Sequence, residues 1–204
     1  MISLKFKMVT YSTADLKIDL EGILQLQKEN LRVSLNKEEI QSQGFVTVHH
    51  TYDVLKKLND IEKHVIAKDD DKVIGYVLAM TEHSKFDIPI LISMFEIFDM
   101  MLYHNKKMSA YHYVIVGQVC VHKAYRGQGI FENCYAAYKE RYQQKYNFAI
   151  TEIAYTNTRS LNAHKRIGFK EIHSFVGPDR TAWIVVIWDW KNEANYGFLI
   201  GCWG

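Results

Sequence analysis

Residues Tyr113 to Phe169 read YVIVGQVCVHKAYRGQGIFENCYAAYKERYQQKYNFAITEIAYTNTRSLNAHKRIGF. The first nine, Tyr113 to Val121, form a strand in which Val114, Val116, Val119 and Val121 supply the β-branched residues that strands favour. Arg126-Gly127-Gln128-Gly129-Ile130-Phe131 follows. Its two glycines let the chain turn tightly and bring backbone N–H groups close to a ligand. A long helix then begins near Gly129 or Ile130 and runs to about Tyr146. Its first N–H groups have no partner inside the helix and its dipole favours negative charge, so a strand leading through glycines into that terminus is a site for phosphate. Arg126 adds a positive charge there. The plainer alternative is that the glycines only make a turn. The spacing is neither a Walker loop nor a full Gly-x-Gly-x-x-Gly fingerprint. A second strand, Ala149 to Tyr155, and a second helix complete the stretch.

In its wider context the stretch resembles the GNAT superfamily of N-acetyltransferases. Val119 to Ile130 is similar to motif A, a strand and short linker followed by Gln/Arg-x-x-Gly-x-Gly/Ala. Arg126, Gly129 and Phe131 fall on the three marked positions, Phe131 standing where Gly or Ala is usual. Asn157 to Phe169 is similar to motif B, with Asn157, Ser160, Leu161, Gly168 and Phe169 matching. The resemblance implies an α+β fold: a single domain over residues 1–204 with a mixed, mostly antiparallel sheet of about seven strands flanked by helices. It also implies transfer of an acetyl group from acetyl-CoA to a primary amine of a small molecule or peptide, by direct attack in a ternary complex and without a metal.

The family assigns most cofactor binding to the backbone. By resemblance, Val119, Cys120 and Val121 pair with the pantetheine arm, and the N–H groups of Gly127, Gln128, Gly129, Ile130 and Phe131 take the pyrophosphate, with Arg126 and Asn157 completing the cofactor set. Many relatives place a catalytic Glu on the motif A strand near Gln118, and Gln cannot serve as a base. Glu152 is the alternative, since some relatives that acetylate peptide N-termini carry a Glu at that offset. It would lie on one sheet face, with Thr151, Ile153 and Tyr155 on the other. The bland reading is a solvated or salt-bridged strand Glu, with a water chain as base and proximity supplying much of the rate. His164 stands where most relatives have a Tyr that protonates the departing thiolate. It is either that acid, through an N–H or as imidazolium, or a packed helix residue.

The bulk properties set bounds. At 204 residues the chain fits one domain. A net charge of +2 argues against a dedicated nucleic-acid binder. Three scattered cysteines, Cys120, Cys134 and Cys202, without a Cys-x-x-Cys pair, suit a reducing cytoplasm. The N-terminus lacks the h-region of a signal peptide, and no apolar run approaches the ~18 residues of a membrane span.

Elsewhere, Ile2 to Val9 alternates like an amphipathic strand. Ser12, Thr13 or Asp15 would cap a helix through about Leu35, whose apolar face includes Leu16, Leu20, Ile23, Leu24, Leu31 and Leu35. Asn36 to Ile40 looks like another helix start, Gly44 to Val48 is irregular or extended, and Thr51 to Leu58 is a short helix. His64 to Lys68 and Val73 to Met80 form a hairpin, with Gly75 marking a bulge or a close approach. Residues 84–110 make a long insertion with a helix starting after Pro89 within Ile88 to Tyr103. It packs on the sheet, forms a subunit contact in a homodimer, or acts as a lid over the acceptor. Lys170 to Val176 and Thr181 to Trp190 are strands around a Gly177-Pro178-Asp179-Arg180 turn, and the apolar tail YGFLIGCWG packs back or extends the sheet. Two other readings stand beside the enzyme: a GNAT-fold module that binds acyl-CoA without turnover, and a nucleotide-binding domain of another fold, which the irregular strand–helix order of the N-terminal half disfavours.

Overall fold

A computed structural model describes residues 9–36, 38, 45–86, 88 and 92–191. The expected strand over Ile2 to Val9, most of the helix start at Asn36 to Ile40, Pro89, and the tail with Cys202 lie outside them, apart from Val9, Asn36 and Glu38. The strands are β1 (Val9–Thr13), β2 (Val65–Asp69), β3 (Lys72–Met80), β4 (Leu102–Tyr103), β5 (Lys106–Lys107), β6 (Tyr113–Val121), β7 (Phe148–Ala154), β8 (Lys170–Val176) and β9 (Ala182–Asp189). The helices are α1 (Lys17–Asn30), α2 (Tyr52–Ile61), α3 (Ile92–Met100), α4 (Ile130–Tyr142) and α5 (Thr158–Ile167). Seven strands form one mixed sheet in the order β1-β2-β3-β6-β7-β9-β8, and β4-β5 is a separate hairpin. The pairs β1–β2, β2–β3, β7–β9 and β8–β9 are antiparallel, and β6–β7 is parallel. This is the expected α+β class.

The chain divides into two compact units. The first takes Met1–Met80 and Gly117–Tyr138, the second Thr81–Val116 and Lys139–Gly204. In the first, Leu20, Ile23 and Leu26 of α1 and Leu55 of α2 pack with Ile66, Val73, Tyr76, Leu78 and Cys120 into one apolar cluster. Full burial of each such aliphatic side chain contributes roughly 1.5–3 kcal/mol relative to exposure. Two local expectations are corrected here. Ser12 and Thr13 belong to β1; the cap of α1 is instead Asp19, whose Oδ2 accepts from the N–H groups of Asp15 and Leu16. That helix stops at Asn30 rather than Leu35, giving way to a 3₁₀ turn over Arg32–Ser34. Thr51 caps α2 as its sequence position suggests, accepting from Val54 N–H. The β2–β3 register shifts between Ala67 and Lys68, next to the Ala67↔Gly75 pair, and a Cβ on Gly75 would lie 3.0 Å from Ile130, so both expected roles of that glycine are present.

In the second unit the described helix of the insertion is packed through one side. This helix, α3, buries Met94, Phe95 and Phe98, and Phe98 meets Tyr113 edge-on at 6.3 Å. Leu102 and Tyr103 are not helical: they open a hairpin whose two turn residues, His104 and Asn105, have φ of 47° and 61°. That is the type I′ geometry that matches strand twist. Tyr103 then stacks edge-on against Tyr111 and Phe148, and its hydroxyl donates to Asp189 Oδ2 over 2.8 Å. The helix α4 ends at Tyr142, short of Tyr146.

Candidate active site

The candidate cofactor cradle lies in the first unit. After Val121 the backbone of His122 donates to Ile74 O over 2.8 Å, a 3₁₀ turn carries Lys123–Tyr125, and Arg126 to Gly129 turn into α4. Gly127 and Gly129 have φ of +75° and +77°. This left-handed region is open to glycine and costly for most side chains, so the glycines are required by the path of the backbone. A Cβ at Gly127 would meet nothing within 4 Å, which leaves the turn open on its outer side. The open turn delivers the chain to the N-terminus and positive dipole end of a 13-residue helix.

The side chains around the turn brace it. Arg126 Nε donates to Val121 O over 3.0 Å and Nη2 to Asn30 Oδ1 over 2.6 Å, tying the turn to β6 and to the end of α1. Gln128 Nε2 donates to Ala124 O over 2.9 Å. Phe131, at the position usually small, is half-buried and packs edge-on against the fully buried Tyr135 at 5.0 Å. Ile130 is buried. Cys120 is buried too, and burial pushes its thiol up to about 12, so it stays an inert thiol. Tyr125 hydrogen-bonds through its hydroxyl to Asp69.

The ladder between β6 and β7 is short. It pairs Tyr113, Val114 and Ile115 with Phe148, Ala149 and Ile150, while β6 runs on to Val121. The next acceptor, Val116 O, is taken by the Thr151 hydroxyl at 2.8 Å. Beyond it Gly117 lies tight against Met80, since a Cβ there would stand 2.2 Å from Met80 Sδ and the Met80 side chain would have to move. Gln118, where many relatives have a base, is a structural hub. Its Oε1 accepts from Tyr76 OH at 2.6 Å and Gln27 Nε2 at 2.7 Å, and its Nε2 donates to Val48 O at 2.9 Å.

The second unit holds the other candidates. Glu152 stands on β7 opposite Val185 of β9. Its Oε2 is buried and has no hydrogen-bond partner among the described residues. Burial, and then the charge of Asp179, push its carboxyl up to about 7. Asp179 sits in the β8–β9 turn, where Thr181 donates to it through both N–H and hydroxyl. A carboxyl poised near neutrality is what a general base requires. Tyr155 follows the end of β7 and is 63% exposed rather than sharing a strand face with Thr151.

Asn157 is the N-cap of α5, its Oδ1 accepting from Ser160 N–H over 3.3 Å, and Gly168 closes the helix at φ 115°. On that helix His164 is buried, 2.8 Å through Nδ1 from Ser160 O and edge-on to Phe169 at 5.0 Å. A carbonyl only accepts, so Nδ1 carries the proton and Nε2 a lone pair. Burial lowers the ring's pKa to about 4. Neutral His164 therefore has no Nε2–H to donate, which fits a packed helix residue. Among the described residues no group of three His, Cys, Asp or Glu side chains could hold a metal ion, and no helix is long and apolar enough to cross a membrane.

The profile of the acetyltransferase (GNAT) family matches residues 25–169. The chain belongs to that family and is an acetyl-CoA-dependent acyltransferase. Solved structures share its fold. The ribosomal-protein-S18-alanine N-acetyltransferase of Escherichia coli is 10% identical, with a TM-score of 0.58 over 89% of this chain and 94% of that one. The yncA protein of Salmonella typhimurium, solved with its cofactor acetyl-CoA, is 14% identical, with a TM-score of 0.58 and the same coverage of 89% and 94%. The NatC complex bound to Gag peptide and CoA is 15% identical, with a TM-score of 0.58 over 89% and 98%. No curated protein sequence matches the chain.

Proposed function

We propose that this acyltransferase moves the acetyl group of acetyl-CoA to a primary amine of a peptide or small molecule by direct attack in a ternary complex. The observation that carries the reading is the left-handed Gly127–Gly129 turn opening into the N-terminus of α4. Backbone N–H groups from Gly127 to Phe131 take the pyrophosphate, and the β6 edge past Ile115 takes the pantetheine arm. The amine lone pair attacks the thioester carbonyl, the C–S bond breaks, and CoA leaves as the thiolate. Glu152 removes the proton that the attacking amine must lose. A peptide amine is favoured as acceptor by the company the fold keeps: one relative is named for a ribosomal-protein alanine and another was solved with a peptide and CoA.

The test is release of free CoA thiol across a panel of N-terminal peptides and primary amines, with Gly129→Glu as control. That substitution puts a side chain and a negative charge where the phosphate should lie. Because any side chain at φ +77° is strained, Gly129→Asn serves as the conformational control, Asn being among the residues that tolerate this region. Turnover by the parent and the Asn variant, with calorimetric acetyl-CoA binding lost only in the Glu variant, is the expected result. Parent-like binding by a folded Glu variant removes the cradle from the reading.

A further inference from the structure

Two histidines are buried in the first unit, and the fold treats them differently. His64 is satisfied on both ring nitrogens: Nδ1 accepts from Ala79 N–H at 3.1 Å, and Nε2 donates to Leu55 O at 3.2 Å. His50 is not, and its protonation can be deduced atom by atom. Gln118 Nε2 donates to Val48 O, so its Oε1 is the atom facing Tyr76 and Gln27. Gln27 must then present Nε2 to Gln118, and its Oε1 accepts the backbone N–H of His50 at 2.8 Å. The second hydrogen on Gln27 Nε2 points at His50 Nδ1, 2.8 Å away, which is therefore an acceptor. A neutral imidazole that accepts at Nδ1 carries its hydrogen on Nε2. Burial, and then the neighbouring His49, hold the ring neutral by lowering its pKa to about 4. That Nε2–H is buried and has no partner among the described residues, on a residue only 2% exposed.

Buried donors are nearly always satisfied, and an orphan calls for a reason. Here Gln27 fixes the tautomer of His50, and Gln118, held by Val48 O and Tyr76, fixes the orientation of Gln27. The network ends on Gln118, beside Val119, on the part of β6 that runs past the β7 ladder. His50 also lies just under the surface, since its neighbours Thr47 and His49 are exposed and residues 47–50 are neither helix nor strand.

We propose that the Nε2–H of His50 is a substrate-binding donor held for a carbonyl oxygen, either the thioester carbonyl of acetyl-CoA or an amide carbonyl of the acceptor. An uncharged N–H suits an uncharged oxygen, and the locked tautomer presents a donor without a rotamer or proton search on binding. The inference rests on the acetyl-transfer reading, and its test separates the two.

The experiment follows the imidazole ¹H–¹⁵N signals of the ¹⁵N-labelled full chain, with His50 assigned by the signals lost in His50→Gln and the cradle followed by the Gly129 amide. The titrants are acetyl-CoA, CoA, and, with CoA saturating, a set of N-terminal tetrapeptides and hexylamine. A downfield shift of the His50 Nε2–H with acetyl-CoA but not with CoA identifies the thioester as the source. A shift with a tetrapeptide but not with hexylamine identifies the acceptor. Movement of Gly129 with His50 unmoved by every titrant overturns the proposal and leaves the cradle standing. If neither moves, both readings fall. A cross-peak from Nε2–H to a long-lived internal water in every state assigns the orphan to that water and likewise overturns the proposal.

Discussion

Gln27 Nε2 donates to Gln118 Oε1 over 2.7 Å, joining α1 to β6 across 91 positions of sequence. The contact explains why the motif A strand carries an amide where many relatives carry a carboxylate. Gln118 uses both ends of its amide, accepting from Gln27 and Tyr76 and donating to Val48 O. A carboxylate supplies the acceptor but not the donor, and it sets a negative oxygen against a carbonyl.

Gln118→Glu is therefore expected to destabilise the protein, by about 1–3 kcal/mol for the lost donor and its orphaned carbonyl, without raising the rate of acetyl transfer. Denaturant unfolding and steady-state rates on the same preparation check this. A variant as stable as the parent and faster would show that the position accommodates a working base.

Glu152→Gln is expected to lower the rate of the chemical step by ~10²–10⁴-fold, the usual contribution of general-base catalysis, with little change in stability. The active form is the carboxylate, so the parent rate should rise with pH through about 7, where burial and Asp179 place the group. Removing one of those two causes should move that rise. Asp179→Asn is expected to shift the limb to lower pH, with the plateau retained. A limb that stays in place in Asp179→Asn, or persists in Glu152→Gln, belongs to another group.

His164 is expected to contribute no alkaline limb. Its Nδ1–H is committed to Ser160 O, and its ring stays neutral down to about pH 4, so imidazolium is scarce wherever the enzyme would be assayed. His164→Asn keeps a donor near the Nδ1 position and deletes Nε2. It should lose stability from the contact with Phe169, and lose much less rate than the ~10²-fold or more that removing a general acid costs. A loss of that size in a folded variant would restore His164 as the acid.

Acid should loosen the fold well above the carboxylate range. His50, His64 and His164 are held neutral by burial, with pKa values of about 4, 3 and 4 against 6.5 when exposed. Between pH 6.5 and 4.5 the unfolded chain therefore binds three protons that the folded chain excludes. Glu152 acts oppositely, since its raised pKa of about 7 lets the folded chain keep one proton the unfolded chain releases above 4.5. Three less one leaves about two more protons on the unfolded state, so stability falls as pH falls, by roughly 2.7 kcal/mol per pH unit in mid-window. Denaturant midpoints at pH 7, 6 and 5 measure it. A flat profile would mean that these histidines reach solvent or partners in the folded state.

The sequence was sufficient wherever the physics is local. A run of β-branched residues makes β6 a strand, two glycines in a left-handed turn need no neighbour to be recognised, and Asn157 and Gly168 mark the ends of α5 by cap chemistry that acts within four residues. The family followed from the resemblance of Val119 to Ile130 and Asn157 to Phe169 to two motifs of the GNAT superfamily. The helix read through Leu102 and Tyr103 failed because an apolar run does not distinguish a helix from a helix and hairpin; the turn at His104-Asn105 was the available signal. What only the tertiary structure decided depends on partners far away in the chain. The Thr151 hydroxyl reaches 35 positions back to Val116 O and the parallel ladder stops. Gln118 becomes a hub because Gln27, Val48 and Tyr76 converge on it from 91, 70 and 42 positions away. The proton affinities of Glu152, His50 and His164 follow from desolvation, which is a property of everything packed around a group and is written at no single position of the sequence.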